Sequence, residues 1–223
     1  MAEAPRLRVD MHCHTRASKD SLNPYDGIVP AMDAAGIDRV VITDHDRIEG
    51  ALRLHARAPD RVIVGEEVRT AEGPDLIGIF LTGLVPKFTP LREACLRIRE
   101  QGGVVYVPHP FDRRRRGGGE LLDGIADLVD VVEAHNARTF RAEVNQQGEA
   151  WARAHGKLLG AGSDAHTLGE IGAAHVQLPP FAPNRDSFLS ALADATIVRG
   201  TSSPMVTVWS SYATLRKKIV PGE

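Results

Sequence analysis

Residues 38–46 read DRVVITDHD, a short apolar run that ends directly in two acids and a histidine. A run of this kind is typical of a strand buried on both faces, as in a parallel sheet covered by helices. Comparable runs precede polar clusters in VDMHCHT, GEEV, VPHPF and GSDAH. Because the carboxyl ends of parallel strands meet at one edge, we expect these clusters to converge there.

The order of elements along the chain predicts an α/β fold. Seven strands are predicted within residues 7–13, 38–45, 61–68, 75–82, 102–109, 128–136 and 157–164. Asn23 is expected to cap a first helix that has Pro24 at its first position and ends at Gly36. Further helices are predicted near residues 48–57, 90–101, 140–155 and 185–194, with a last short strand at 196–200. This alternation implies parallel strands with helices outside.

Composition favours one globular domain over residues 1–223, with a helical and strand extension from about residue 180. The net charge of −2 gives no argument for a stable nucleic-acid or membrane partner. The chain has no apolar run of about 18 residues, and its first ten residues lack the apolar core of a signal peptide. Two cysteines, Cys13 and Cys95, are too few for a disulfide framework, which favours a cytoplasmic location.

Two pairs of polar residues alternate along their strands. His12 and His14 should leave the same face of the first strand while Cys13 points the other way. Asp164 and His166 repeat this spacing after the seventh strand. Paired imidazoles suit borderline divalent cations. Asp10 is a candidate for holding a ligating histidine in the correct tautomer.

Three further strand ends carry candidate ligands. His45 is the expected ligand in TDHD, with Asp44 or Asp46 to orient it. Glu66 and Glu67 point to opposite faces, so one of them faces the site, where a carboxylate can bridge two cations. His109 lies between two prolines after a buried strand. The predicted metal ligands are His12, His14, Asp20, His45, Glu67, His109, Asp164 and His166.

Arginines near these ligands are candidates for binding an anionic substrate. The run 113–116 directly follows the His109 segment, and Arg113 is the expected contact because it is nearest in sequence. Arg138, after the sixth strand, is the second candidate. For both, a solvated surface position is the alternative interpretation.

As a set, DMHCHT, Asp20, ITDHD, GEEV, PHPFDR and AGSDAH resemble the PHP (polymerase and histidinol phosphatase) domain over about residues 7–175. The segments FDR, NAR and EIG are similar to those of small stand-alone metal-dependent phosphoesterases. The resemblance implies a distorted (β/α)7 barrel with up to three metal ions. It implies one ion at His12, His14, Glu67 and Asp164, a second shared by Glu67 and His109, and a third at Asp20, His45 and His166.

The sequence departs from the family pattern at two places. Relatives often have a histidine where Asp75 stands, before a Leu-Gly pair, and here the following residues are Leu-Ile-Gly. Relatives also supply a His or Cys after the sixth strand, where this chain has His135 and Asn136. The departures affect the second ion, so both a two-metal and a three-metal centre are considered.

The resemblance implies hydrolysis of a small phosphate ester by a metal-activated hydroxide, with His166 or Asp164 supplying the leaving-group proton. Candidate substrates are nucleotides, short oligonucleotides and sugar or amino-alcohol phosphates. Mn, Fe, Zn and Mg all suit the mixed ligands. Two alternatives are a C–N hydrolase of amidohydrolase type, although no lysine stands at a strand end, and a non-catalytic metal-binding regulatory domain.

Overall fold

The computed structural model describes residues 5–219. In these residues nine strands form one continuous sheet, which curves into a distorted (β/α)7 barrel. The strands are β1 (Leu7–Cys13), β2 (Arg39–Ile42), β3 (Val62–Arg69), β4 (Asp75–Ile79), β5 (Val104–Val107), β6 (Val131–Asn136), β7 (Leu158–Gly162), β8 (His175–Leu178) and β9 (Thr196–Val198). The helices are α1 (Tyr25–Ala35), α2 (Glu49–His55), α3 (Leu91–Glu100), α4 (Ala142–Ala154), α5 (Arg185–Leu192) and α6 (Val206–Ile219). Short 3₁₀ helices span Arg113–Arg115, Gly119–Ile125 and Leu168–Glu170.

The strands are not all parallel, which corrects the expectation from the sequence. Strands β1, β2 and β3 pair in parallel, as do β5, β6 and β7, but β4 is antiparallel to both β3 and β5. Residues 70–74 join β3 to β4, and a parallel crossover needs a dozen or more residues. The reversal brings Asp75, the first residue of β4, beside Arg69 at the end of β3.

The barrel closes only at its carboxyl end. There the main-chain N of His14 donates to the carbonyl of Ala165, and that of Asp164 donates to the carbonyl of His12. The first residues of β1 pair instead with β8, which is antiparallel to β1. The seam between β1 and β7 is therefore made by the segments that carry candidate ligands.

Two apolar layers fix this arrangement. The inner core fills the barrel with side chains such as Met11, Ile77 and Tyr106, and Phe188 of α5 closes it from below. The outer core packs helices on the barrel, with Ile98 of α3 as a central member. The pairing of β1 with β2 shifts register between Asp10 and Cys13. Such irregularities re-aim side chains, so β1 fills the core and also supplies the polar pair at its end.

The start of α1 differs from the prediction. The N-cap position is Pro24, and no side chain caps the helix. The amide of Asn23 instead donates to the main-chain carbonyls of His14 and, more weakly, Ala165. Asn23 is buried and ties together the ends of β1 and β7. Its role is thus in the barrel seam rather than in the helix.

The last helix, α6, lies over the mouth of the barrel. Its own residues Val206 and Ala213 are buried against the rest of the protein, whereas its residues Trp209 and Tyr212 face solvent. Among residues 5–219, no helix combines the length and the apolar character needed to cross a membrane.

Candidate active site

The side chains at the ends of β1 and β7 meet at the mouth of the barrel. The Nε2 atoms of His12 and His14 lie 3.1 Å apart. Oδ1 of Asp164 lies 3.3 Å from Nε2 of His14 and 3.7 Å from Nε2 of His12. All three residues are fully buried, and this Asp164 oxygen accepts no hydrogen bond. Their ligand atoms are close enough together to surround one cation.

Glu67 lies between this group and two others. Its Oε1 is 3.1 Å from Nε2 of His109. Its Oε2 is 3.1 Å from Nδ1 of His45 and 3.4 Å from Nε2 of both His12 and His14. The two oxygens thus face different sets of imidazoles, as a carboxylate that bridges two cations must. Glu66 points to the opposite face and accepts a hydrogen bond from the main-chain N of Val85.

The outermost group contains His45, Asp20 and His166. The two oxygens of Asp20 lie 3.5 Å from Nε2 of His45 and 3.4 Å from Nε2 of His166. About a fifth of the Asp20 and His45 side chains is exposed, at 21% and 22%. This group therefore borders the solvent from which a substrate would approach.

Glu133, on β6, orients His12 and was not found from the sequence. Its Oε1 lies 3.1 Å from Nδ1 of His12, so this nitrogen carries the proton and Nε2 is free to face a cation. Asp10, the expected partner, instead accepts hydrogen bonds from the main-chain N atoms of Ser163 and Gly172. The sequence feature that indicates a buried role for Glu133 is its place inside an otherwise apolar predicted strand, VVEA.

A serine relay orients His14. Ser18 Oγ donates to Oδ1 of Asp44 and lies 3.1 Å from Nδ1 of His14. Since the serine proton is used on Asp44, Nδ1 of His14 must be the donor, which leaves its Nε2 as a lone pair. The main-chain N of His45 donates to the same hydroxyl. His166 is fixed similarly, with Nδ1 2.8 Å from the carbonyl of Asp164.

The charges within the cluster set its protonation states. Burial lowers the pKa of His12, but Glu133 and Glu67 outweigh this effect and raise it to about 9. Burial, with the neighbouring His166 and His45, holds the pKa of His14 well below its usual value. Burial raises the pKa of Glu67, but the nearby imidazoles reverse this and bring it well below normal. Glu67 is therefore ionised and His14 neutral, as metal ligands must be, whereas His12 has to release a proton from Nε2 when a cation binds.

Two of the candidate ligands have an unusual backbone. His109 has φ of 29° and Asp164 has φ of 55°, in the left-handed region that residues with a Cβ rarely adopt. Such conformations cost of order 1–3 kcal/mol and persist where the surrounding structure enforces them. The seam between β1 and β7 thus holds Asp164, and the proline-flanked turn holds His109, with both side chains pointing into the cluster at a cost in folding stability.

Arg115, rather than Arg113, reaches the cluster. The Arg115 guanidinium donates to Oδ2 of Asp164 and to Oδ1 of Asn136. Arg113 is exposed and lines an outer chamber instead. The 3₁₀ turn over Arg113–Arg115 rotates the third arginine inward, a feature that sequence distance alone does not reveal.

Arg138 is already committed to protein contacts. Its guanidinium donates to the carbonyl of Val206 and the hydroxyl of Ser210 in α6, and Nε lies 3.2 Å from Oε1 of Glu170. Its side chain is only 9% exposed. Arg138 borders the site but has little freedom to move toward a ligand.

Two connected cavities lie over these residues. The smaller, of about 220 Å³, lies directly over Glu67, His109 and the outermost group. The larger, of about 1000 Å³, opens beside it under α6. Its walls carry five arginines, four acids, two aromatic rings and hydroxyls of α6: Arg113, Arg114, Arg115, Arg138, Arg141, Asp20, Asp112, Glu120, Glu143, Phe111, Phe140, Thr207, Ser210, Ser211 and Thr214.

The sequence departs from the PHP pattern at Asp75 and at His135 and Asn136, and these residues have different surroundings. Asp75 lines the smaller cavity, and burial together with the charge of Glu67 raises its pKa to about 7. His135 points away, with Nε2 2.7 Å from the carbonyl of Gly200. The amide of Asn136 donates to Glu133 and Asp164, so it organises carboxylates.

The donor set fits divalent cations. Imidazole nitrogens and carboxylate oxygens together suit Zn, Mn and Fe. One oxygen of Asp164 and one of Asp20 are buried without a hydrogen-bond partner while facing imidazole nitrogens. Buried carboxylate oxygens are normally paired, and a cation shared with those nitrogens would satisfy them.

Comparisons with known proteins agree with this geometry. The profile of a family described as PHP-associated matches residues 142–197. An uncharacterized protein of Methanocaldococcus jannaschii is 34% identical over 176 residues, which cover 77% of this chain and 70% of that protein. A 5'-3' exoribonuclease of Haemophilus influenzae is 28% identical over 179 residues, covering 73% and 60%. The crystal structure of PsfC from Pseudomonas syringae superposes with a TM-score of 0.70 at 17% identity, covering 95% of this chain and 99% of that one.

Proposed function

Because the chain belongs to the PHP (polymerase and histidinol phosphatase) superfamily of metal-dependent hydrolases, we propose that it hydrolyses small phosphate esters. The proposal is supported above all by one juxtaposition: five candidate metal ligands and a group of arginines line the same small cavity. The ligands are Asp20, His45, Glu67, His109 and His166, and the arginines include Arg114, Arg115, Arg116 and Arg138. A phosphoryl group needs positive charge on several oxygens at once. Arg114, Arg115 and Arg116 are guanidinium groups of this cavity that can supply it, whereas Arg138 is already committed to protein contacts.

The proposed ligands are the eight predicted residues. His12, His14, Asp164 and Glu67 form the inner set, Glu67 and His109 a second, and Asp20, His45 and His166 the outer one. Divalent cations held there supply Lewis acidity toward phosphoryl oxygens and increase the acidity of water.

Protein side chains have separate proposed roles. Arg115 neutralises developing charge beside Asp164, and Arg113 contacts the substrate further out in the chamber. The Asp164 carbonyl holds the proton of His166 on Nδ1, and burial lowers the pKa of His166 to about 4, so Nε2 carries no proton near neutral pH and suits a ligand. The proton for the leaving oxygen is therefore the one that the attacking water releases, and not one held by His166 as the sequence suggested. Arg138 maintains the wall of the chamber.

The chamber favours substrates of limited size. Its volume of about 1000 Å³ is within the range of small-ligand sites. Phe111 and Phe140 offer apolar surface beside the arginines, which suits a base or sugar attached to phosphate. Nucleotides and the ends of short oligonucleotides are the preferred candidates, and the exoribonuclease activity of the Haemophilus relative supports including the latter.

The test is phosphate release from a panel of phosphomonoesters and diesters. Metal-free protein is supplied with Mn²⁺, Zn²⁺, Fe²⁺ or Mg²⁺, and His14→Ala is compared with His155→Ala, a histidine stacked on Trp151 away from the cluster. We expect metal-dependent release that His14→Ala abolishes and His155→Ala retains. Absence of release with metal still bound would refute the phosphoesterase proposal and favour a C–N hydrolase or a binding domain.

A further inference from the structure

One side of helix α6, made of alternating apolar and polar residues, faces the mouth of the barrel. Val206, Ser210, Ala213 and Lys217 recur at intervals of four, three and four residues, which places them on one side of a helix. Val206 and Ala213 are buried, while Ser210 and Lys217 make specific polar contacts. This side of the helix therefore docks α6 by hydrogen bonds more than by apolar packing.

At the end of α6, Lys217 binds the loop that carries Asp20. Its Nζ lies 2.6 Å from the carbonyls of Arg16 and Ser21 and 2.5 Å from that of Ser18. An ammonium group has three donors, and here all three are used by the main chain of residues 16–21. The loop thus surrounds a single ammonium group, and Asp20 lies between Ser18 and Ser21, two of the residues whose carbonyls contact it.

At the beginning of α6, Arg138 links the helix to the loop that carries His166. Arg138 donates to the carbonyl of Val206 and pairs with Glu170. The other oxygen of Glu170 accepts hydrogen bonds from the main-chain N atoms of His166 and Thr167. Both loops of the outermost ligand group are therefore connected to the same helix.

We propose that α6 is a clasp that sets the separation of Asp20 and His166, and that Lys217 is its main positioning residue. The proposal rests on the metal centre proposed above. Neither Asp20 nor His166 is on a strand, so the barrel alone does not fix their separation. The clasp would raise affinity for a cation at the outermost group without Lys217 contacting that cation.

Energetic coupling of this kind is reciprocal. If docking of α6 strengthens cation binding, cation binding must strengthen docking of α6 by the same factor. Amide hydrogen exchange in α6 should therefore slow when the outermost group is filled. A helix that merely covers the barrel would exchange at the same rate with and without metal.

The experiment compares Lys217→Met, which keeps most of the length of the side chain but removes the charge and the donors, with Lys217→Arg and with Lys218→Met. Lys218 is the neighbouring exposed residue of α6. Metal-free protein is titrated with Mn²⁺ alone, and free Mn²⁺ is followed by electron paramagnetic resonance. Hydrogen exchange of α6 is measured at zero and saturating Mn²⁺.

We expect Lys217→Met to weaken Mn²⁺ binding at the outermost group by about tenfold or more, in line with other residues that orient metal ligands. Lys217→Arg should keep part of the affinity, and Lys218→Met should match the wild type. Metal-dependent protection of α6 should disappear in Lys217→Met. Equal Mn²⁺ affinity and equal protection in wild type and Lys217→Met would overturn the clasp.

Failure of the metal centre itself gives a different result. In that case the wild type binds no Mn²⁺, and protection of α6 does not change with metal in any variant. If Lys217→Met does not fold, Lys217→Arg decides, because it keeps the charge but cannot reproduce three compact contacts. An affinity for Mn²⁺ in Lys217→Arg identical to that of the wild type would then count against the proposal.

Discussion

Oε1 of Glu133 lies 3.1 Å from Nδ1 of His12, at the floor of the ligand cluster. The same oxygen accepts the hydroxyl of Tyr106, and Oε2 accepts the main-chain N of His109 and the amide of Asn136. Burial raises the pKa of Glu133, but the charge of His12 outweighs this and lowers it below its usual value. One ionised carboxylate therefore positions candidate ligands from two parts of the chain.

Replacing Glu133 by Gln should weaken metal binding by about 10–100-fold, because an amide no longer favours the proton on Nδ1 of His12. Chelator competition with Zn²⁺ or Mn²⁺ measures the change. Tyr106→Phe is the matched control, since it removes a hydrogen bond to the same carboxylate but leaves its charge. Equal affinities in the two variants would show that the charge of Glu133 does not orient His12.

Arg115 should contribute more to turnover than Arg113. Because the Arg115 guanidinium reaches Asp164, its removal leaves developing charge without a nearby partner. We expect Arg115→Ala to lower kcat/KM for a phosphate ester by about 10²-fold or more, and Arg113→Ala to have a smaller effect. Steady-state kinetics of both variants on the best substrate measure the two effects. A larger loss in Arg113→Ala than in Arg115→Ala would instead support Arg113 as the main substrate contact, as the sequence predicts.

Glu66 should make stability depend on pH. Burial raises its pKa from 4.5 to about 8, so the folded protein holds this proton more tightly than the unfolded chain does. The free energy of unfolding should therefore fall as the pH rises from about 4.5 through 8. Glu66→Gln keeps an acceptor for Val85 but cannot ionise. Urea unfolding at pH 6 and pH 8.5 should show a smaller loss for this variant, and parallel losses would contradict the assignment.

Gly162→Ala should damage the barrel seam. An added Cβ would lie 2.3 Å from Cβ of His12 and 2.8 Å from its main-chain N. Strand β1 would have to move away from β7, so we expect a destabilisation of at least 1–3 kcal/mol together with weaker metal binding. Gly124→Ala is the control, since its Cβ would meet nothing within 4 Å. Thermal unfolding of both variants checks the difference.

The sequence predicted which polar side chains lie together, because they follow strands whose ends must meet. The helices α1 to α5 and the strands β1 to β7 lie near their predicted positions, since apolar periodicity reports on burial. The resemblance to the PHP family and the distorted barrel are both confirmed. These features depend on local patterns, which a single sequence displays directly.

Other features depend on long-range geometry. The reversal of β4 follows from the connection over residues 70–74, which is too short for a parallel crossover, whereas the alternation of elements predicts parallel strands. The orientation of Glu133, the seam contacts of Asn23 and the inward turn of Arg115 depend on neighbours distant in the chain. The contacts of Lys217 with residues 16–21 belong to the same class. No periodicity records such contacts, because each is a single side chain meeting the backbone of another segment.

The two ends of strand β1 pair with different segments. Residues 7–9 pair with β8, whereas Cys13 pairs with Ala165 in the segment after β7. The end of the barrel that carries the candidate ligands is thereby separate from the end that α5 closes. The hydrogen bonds and ion pairs of residues 175–198, which contain β8, α5 and β9, reach none of the candidate ligands. Stability engineering directed at this segment should therefore leave the geometry of the ligand cluster unchanged.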